Sequence, residues 1–116
     1  MNTFTVGYGR TALHYWVELR GNDIYVHIDG GASHLGSVSM AEKDFLQTTS
    51  FSGHEEHQLT EPVAKRLAAV FSCRVVVSGG VHLDDIEKEE IMLIGAENEA
   101  TVDELISVLR EMRGTK

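Results

Sequence analysis

The chain has 116 residues, 42% apolar and 24% charged, with a formal net charge of −8. That length suits one domain with a modest core, and no apolar run reaches the ~20 residues needed to span a bilayer. The acidity argues against nucleic acid, which is held by Lys and Arg on phosphates, and against an anionic membrane surface. Met1-Asn2-Thr3-Phe4 has neither the basic nor the apolar region of a signal peptide, and the single Cys73 lies in an apolar stretch and has no disulfide partner within the chain. These features point to a cytoplasmic protein.

Phe4 to Val6 reads as a short strand. Ala12 to Leu19 alternates, with Leu13, Tyr15, Val17 and Leu19 on one face and His14, Trp16 and Glu18 on the other. Arg20-Gly21-Asn22-Asp23 is a turn, after which Ile24, Val26 and Ile28 alternate with Tyr25, His27 and Asp29, so the two runs form a hairpin. Gly30-Gly31 ends it. Ser37 to Ala41 and Thr48 to Phe51 are further strand candidates.

From about His57 the period becomes helical, with Leu59, Val63, Leu67, Ala68 and Phe71 on one stripe. Thr60 as N-cap puts Pro62 in the first turn; an earlier start near Glu55 puts it deeper and kinks the helix. Arg74 to Gly80 reads as a strand apolar on both faces, and hence central. A helix over Lys88 to Ile94 is expected to break at Gly95. Thr101-Val102-Asp103-Glu104 has the form of a capping box opening a last helix along Leu105, Val108, Leu109 and Met112. The order is α+β: a mostly antiparallel sheet covered by two to three helices, in one domain over 1–116. Asp84 to Glu104 is densely acidic, with Lys88 its only cation, and reads as a solvated helix face.

Histidine is over-represented, with six in the chain. His14 and His27 fall in strand alternation and read as ordinary half-exposed positions. Three other stretches share one design, glycine beside histidine at a strand end. They are Gly30-Gly31-Ala32-Ser33-His34-Leu35-Gly36, Gly53-His54-Glu55-Glu56-His57 and Gly79-Gly80-Val81-His82-Leu83-Asp84. Glycine lets backbone approach a ligand closely, and imidazole can donate, accept, titrate or ligate a metal. Segments that end neighbouring strands can meet at one sheet edge, so the three are expected to build one polar ligand site. His54, His82 and Asp84 are candidate ligands of a divalent metal, and with His34 they could support metal-dependent chemistry. Gly7-Tyr8-Gly9-Arg10-Thr11 reads as a glycine turn before a strand rather than an anion loop. No Gly-x-Ser-x-Gly elbow, P-loop or dinucleotide fingerprint occurs, and Cys73 has no histidine at a motif spacing.

On these segments the chain resembles the prenylated-flavin chaperones, small D subunits that accompany gallate and hydroxyarenoate decarboxylases of the UbiD type. Their pattern runs Gly-Gly-x-x-His-x-Gly, then Gly-His-x-Glu before a helix, then Gly-x-His-x-Asp before Glu-Glu-Ile. Here it reads Gly30 to Gly36, Gly53 to Glu56, and Gly80 to Asp84 with Glu89-Glu90-Ile91, in order and spacing from about Gly7 to Leu109. The resemblance implies a homodimer with a proteasome-assembly-chaperone-like fold. It implies binding of reduced prenylated FMN (or FMN) and delivery to an apo-decarboxylase, with no turnover of its own. Carried over by position, the site residues are His34, Gly36, His54, Glu56, His82 and Asp84. Glu55 departs from the pattern, standing where a basic residue is common. Phe51, Tyr25 or Trp16 would cover the flavin ring. A metal-dependent enzyme and a protein-assembly factor with no small ligand, its histidines structural, are the alternatives.

Overall fold

The computed structural model describes residues 2–51 and 57–114. Six strands form one sheet: β1 (Asn2–Val6), β2 (Leu13–Arg20), β3 (Asp23–Gly31), β4 (Ser37–Glu42), β5 (Phe45–Ser50) and β6 (Val75–His82). Two helices accompany them, α1 (His57–Phe71) and α2 (Lys88–Met112). The sheet order is β1-β2-β3-β6-β4-β5. Every pairing is antiparallel except β3 with β6, so β6 is central, as its doubly apolar pattern requires.

The period-2 pattern sorts the faces. Leu13, Tyr15, Val17, Ile24, Val26, Ile28, Val75 and Val77 are all buried beneath the helices. From the other side, α1 buries Leu59, Val63, Ala64, Leu67 and Ala68, and α2 buries Ile94, Val102, Leu105, Ile106 and Leu109. At ~1.5–3 kcal/mol for each large side chain, this one layer of contact is the main stabilising term. Among the described residues no helix covers the opposite face of the sheet, which exposes Trp16, Tyr25, Met40 and Phe45.

Three helix expectations are corrected. Gly95 does not break α2, and Thr101 does not open a new helix: α2 runs 25 residues without interruption. A mid-helix glycine costs only ~1 kcal/mol, less than the burial of Ile94 and Asn98 on either side returns. Thr101, itself buried, turns its hydroxyl back to donate to the Glu97 carbonyl at 2.6 Å. The box lies instead at Glu87 and Glu90, where the Glu90 carboxylate accepts the Glu87 backbone N–H at 3.0 Å. Thr60 is likewise no N-cap. It is fully buried three residues into α1, with its Oγ1 3.0 Å from Ser37 Oγ and 2.7 Å from Ser39 Oγ. Pro62 therefore sits inside the helix, beyond the first turn.

Candidate functional site

The strand register brings the loops to one end of the sheet. Gly31 pairs with His82 across the parallel β3–β6 ladder, and the Ala32 N–H donates to the His82 carbonyl at 3.0 Å. The Gly36 N–H donates to the Gly79 carbonyl at 2.8 Å, and the Phe51 N–H to the Gly36 carbonyl at 2.8 Å. The ends of β3, β5 and β6 and the start of β4 are thus stitched together. The first turns of α1 reach the same end, because Thr60 meets Ser37 there.

Within this end the His34 and His82 rings lie with centroids 5.8 Å apart and planes at 79°. His82 Nε2 is 3.6 Å from Asp84 Oδ1, both side chains being more than half exposed. The His34 Nδ1 is 3.4 Å from the Ala32 carbonyl oxygen, on the loop it shares. His34, His82 and Asp84 thus share one neighbourhood. Gly53, His54 and Glu56 lie outside the described residues. Among the described residues, no three His, Cys, Asp or Glu side chains gather to hold a metal ion.

The glycines do structural work at this end. Gly31 has φ +69°, and a Cβ there would stand 2.0 Å from the His82 carbonyl oxygen. A Cβ on Gly79 would stand 2.3 Å from the Ile28 carbonyl oxygen. The buried Gly30 packs Val81 and Leu13 where its side chain would be, and the buried Gly80 pairs with Asp29. The amide of Gly36 is spent on Gly79. These positions let strands and loops close up beside the histidines, and the Ala32 and Gly36 amides are both taken by backbone carbonyls.

The aromatic expectation is corrected in part. Phe51 is at the site end, but Tyr25 pairs with Val76 and Trp16 with His27. At ~3.3 Å per residue, those positions lie roughly 20 Å and 13 Å down the sheet from Gly31, on its uncovered face. That face holds a separate polar chain: His27 Nδ1 is 2.8 Å from Ser78 Oγ, and His27 Nε2 is 2.8 Å from Asp29 Oδ1. On the same face His14 Nδ1 is 2.8 Å from Thr5 Oγ1. His14 and His27 are thus partnered strand positions.

One residue at the site end has no signal in the sequence beyond following Gly7 and Gly9. Arg10 donates through Nε and Nη2 to both carboxylate oxygens of Glu90, at 2.7 and 3.0 Å, and through Nη2 to the Asp84 carbonyl at 2.8 Å. The pair holds the Glu90 carboxyl below the usual range, Arg10 being the chief cause, and raises the Arg10 guanidinium, chiefly through the same bond. Cys73 is a buried free thiol, pushed up by burial, as a core cysteine should be.

An open six-stranded α+β sheet with its polar loops at one end and its helices on one face defines the class. The fold is similar to that of a solved chain from a chaperone complex for yeast 20S proteasome assembly, with a TM-score of 0.61 at 9% identity over 93% of this chain and 98% of that one. At that identity the likeness concerns the fold alone. No match is found among curated proteins. The chain belongs to the prenylated flavin chaperone LpdD-like domain family, whose model matches residues 7–110.

Proposed function

We propose that this protein binds reduced prenylated FMN at the loop end of its sheet and hands it to a UbiD-type aromatic acid decarboxylase, without turnover of its own. The observation that carries the reading is the edge-to-face pair of His34 and His82, set where the strand ends are drawn together, in a chain of the prenylated flavin chaperone family. The imidazoles can hydrogen-bond ring carbonyls or phosphate. The N-terminal turn of α1 offers its dipole to the phosphate, which matters because the Gly36 amide is already used. His34, His82 and Asp84 are the site residues this reading assigns in the described chain; Gly36 and Gly80 set the backbone around them, and Gly53, His54 and Glu56 complete the set by position.

The uncovered face with Trp16, Tyr25, Met40 and Phe45 supports a homodimer, since a sheet face of this kind gains by burial. Sedimentation at micromolar concentration should give twice the chain mass. Among the described residues no helix is long and apolar enough to cross a membrane.

The deciding experiment is anaerobic titration with reduced prenylated FMN, followed by transfer to an apo-decarboxylase. A saturable spectral change, and decarboxylation only when the apo-enzyme is added, is the expected result. Absence of binding sinks the proposal. Elemental analysis of untagged protein tests the metal-dependent alternative, which requires stoichiometric metal.

A further inference from the structure

We propose that the Gly7–Thr11 loop is a further wall of this site beside His82 and Asp84, in which Arg10 is a positioning residue and Tyr8 supplies aromatic cover for the ligand's ring. The inference rests on the flavin reading above and adds residues to it.

A tricyclic ring taken out of water needs flat apolar or aromatic surface. The aromatic side chains are accounted for almost completely by position. Phe4 is stacked on buried Tyr15, with centroids 5.1 Å apart. Phe71 lies under the Arg113 guanidinium. Trp16 and Tyr25 sit down the uncovered face, and Phe45 pairs with Glu42 at the far end of β4. That leaves Phe51 and Tyr8 at the site end.

Tyr8 belongs to that end by register. The loop it occupies joins Val6 to Leu13, Leu13 pairs with Gly30, and Gly30 with Val81, one step before His82. The residue is 89% exposed, an unusual state for a tyrosine. Its backbone is extended, at φ −156° and ψ 167°, between Gly7 at φ +73° and Gly9 at φ +70°. Two consecutive left-handed hinges around one extended residue present that residue away from the fold.

Arg10 ties the loop to the site. Its fork grips Glu90 in the first turn of α2 while the same Nη2 reaches the Asp84 carbonyl. The loop carrying Asp84 bends at Asp85, a non-glycine residue at φ +52°, and needs such an external hold. Arg10 thereby fixes Tyr8 and Asp84 relative to one another.

The test is flavin titration, with FMN in air and reduced prenylated FMN anaerobically, on wild type, Tyr8→Phe, Tyr8→Ala, Arg10→Gln, the Tyr8→Ala/Arg10→Gln pair and Trp16→Ala. Tyr8→Ala should weaken Kd about tenfold and abolish the quenching of flavin fluorescence by a stacked phenol, while Tyr8→Phe stays within about twofold in Kd. Arg10→Gln should weaken Kd, and the double variant should lose less than the sum of the two single losses, because Arg10 acts in part through the loop that carries Tyr8. Trp16→Ala should be silent. Wild-type affinity in Tyr8→Ala, additive losses in the double variant, or a loss in Trp16→Ala larger than in Tyr8→Ala would each overturn the inference while leaving the flavin reading intact. No binding of either flavin by wild type overturns both.

Discussion

The Tyr15 hydroxyl donates to Asn98 Oδ1 at 2.6 Å, while Asn98 Nδ2 donates to the Leu59 carbonyl at 2.9 Å. All three residues are buried, so one asparagine joins sheet, α1 and α2. Each buried polar atom in this chain depends on the next. Tyr15→Phe should leave Asn98 Oδ1 without its donor and cost about 1–3 kcal/mol. Asn98→Ala should cost more, since it strands both the phenol and the Leu59 carbonyl. Urea midpoints at pH 7 measure both.

Burial raises the Tyr15 hydroxyl above its ordinary value of 10.0 and the Cys73 thiol above 9.0. In both cases the unfolded chain ionises first. The stability these groups contribute is complete below their ordinary values and is lost as pH climbs toward the raised folded ones. Stability should therefore decline from about pH 9 upward, and the Tyr15→Phe/Cys73→Ala pair should flatten that decline. At the acid end the sign reverses: the lowered Glu90 contributes above its ordinary 4.5 and is lost as pH falls through its lowered value. Chemical denaturation across pH 3–11 reads both limbs.

Gly31→Ala should be severe. Its Cβ would meet the His82 carbonyl oxygen at 2.0 Å and Leu83 Cδ2 at 2.7 Å, on a residue at φ +69°. Left-handed strain and overpacking together give about 3 kcal/mol, and the displaced β6 end should carry His82 away from His34. A lowered melting temperature with weakened flavin binding is the expected pair of outcomes.

Thr60→Val keeps the volume of a side chain with no exposure but removes a hydroxyl shared with Ser37 and Ser39. Two serine hydroxyls lose a partner, at about 1–3 kcal/mol. Ser39 retains Thr48 Oγ1 at 2.8 Å, so its share of the loss should fall at the low end of that range. Calorimetry of Thr60→Val against Ser37→Ala measures it.

His82→Ala removes an exposed side chain and should leave the stability within ~0.5 kcal/mol of wild type while lowering flavin affinity. The assembly-factor alternative, with its histidines structural, requires the opposite: reduced stability and unaltered partner binding. Thermal melts beside the anaerobic titration separate the two.

Local chemistry made much of this protein legible from sequence. The alternation from Leu13 to Ile28, the turn at Gly21, the doubly apolar run at Val75 and the stripe from Leu59 to Ala68 are all statements of which side of an element meets water. They fix strands, one hairpin, a central strand and the helical cover without reference to distant partners. The glycine–histidine segments were readable for the same reason, since glycine beside histidine at a strand end limits what the backbone there can do. Tertiary structure alone decided the rest. Thr101 and Gly95 carry local signals for a helix start and stop, but burial of Ile94, Asn98 and Val102 against the sheet outweighs them. Thr60 resembles a cap until two serines from β4 claim its hydroxyl. Tyr25 and Trp16 were separated from the histidines by strand register, and Arg10 joined to Asp84 and Glu90 across some 80 residues of chain. A contact that depends on which strands become neighbours is a property of the whole packing, and no local pattern contains it.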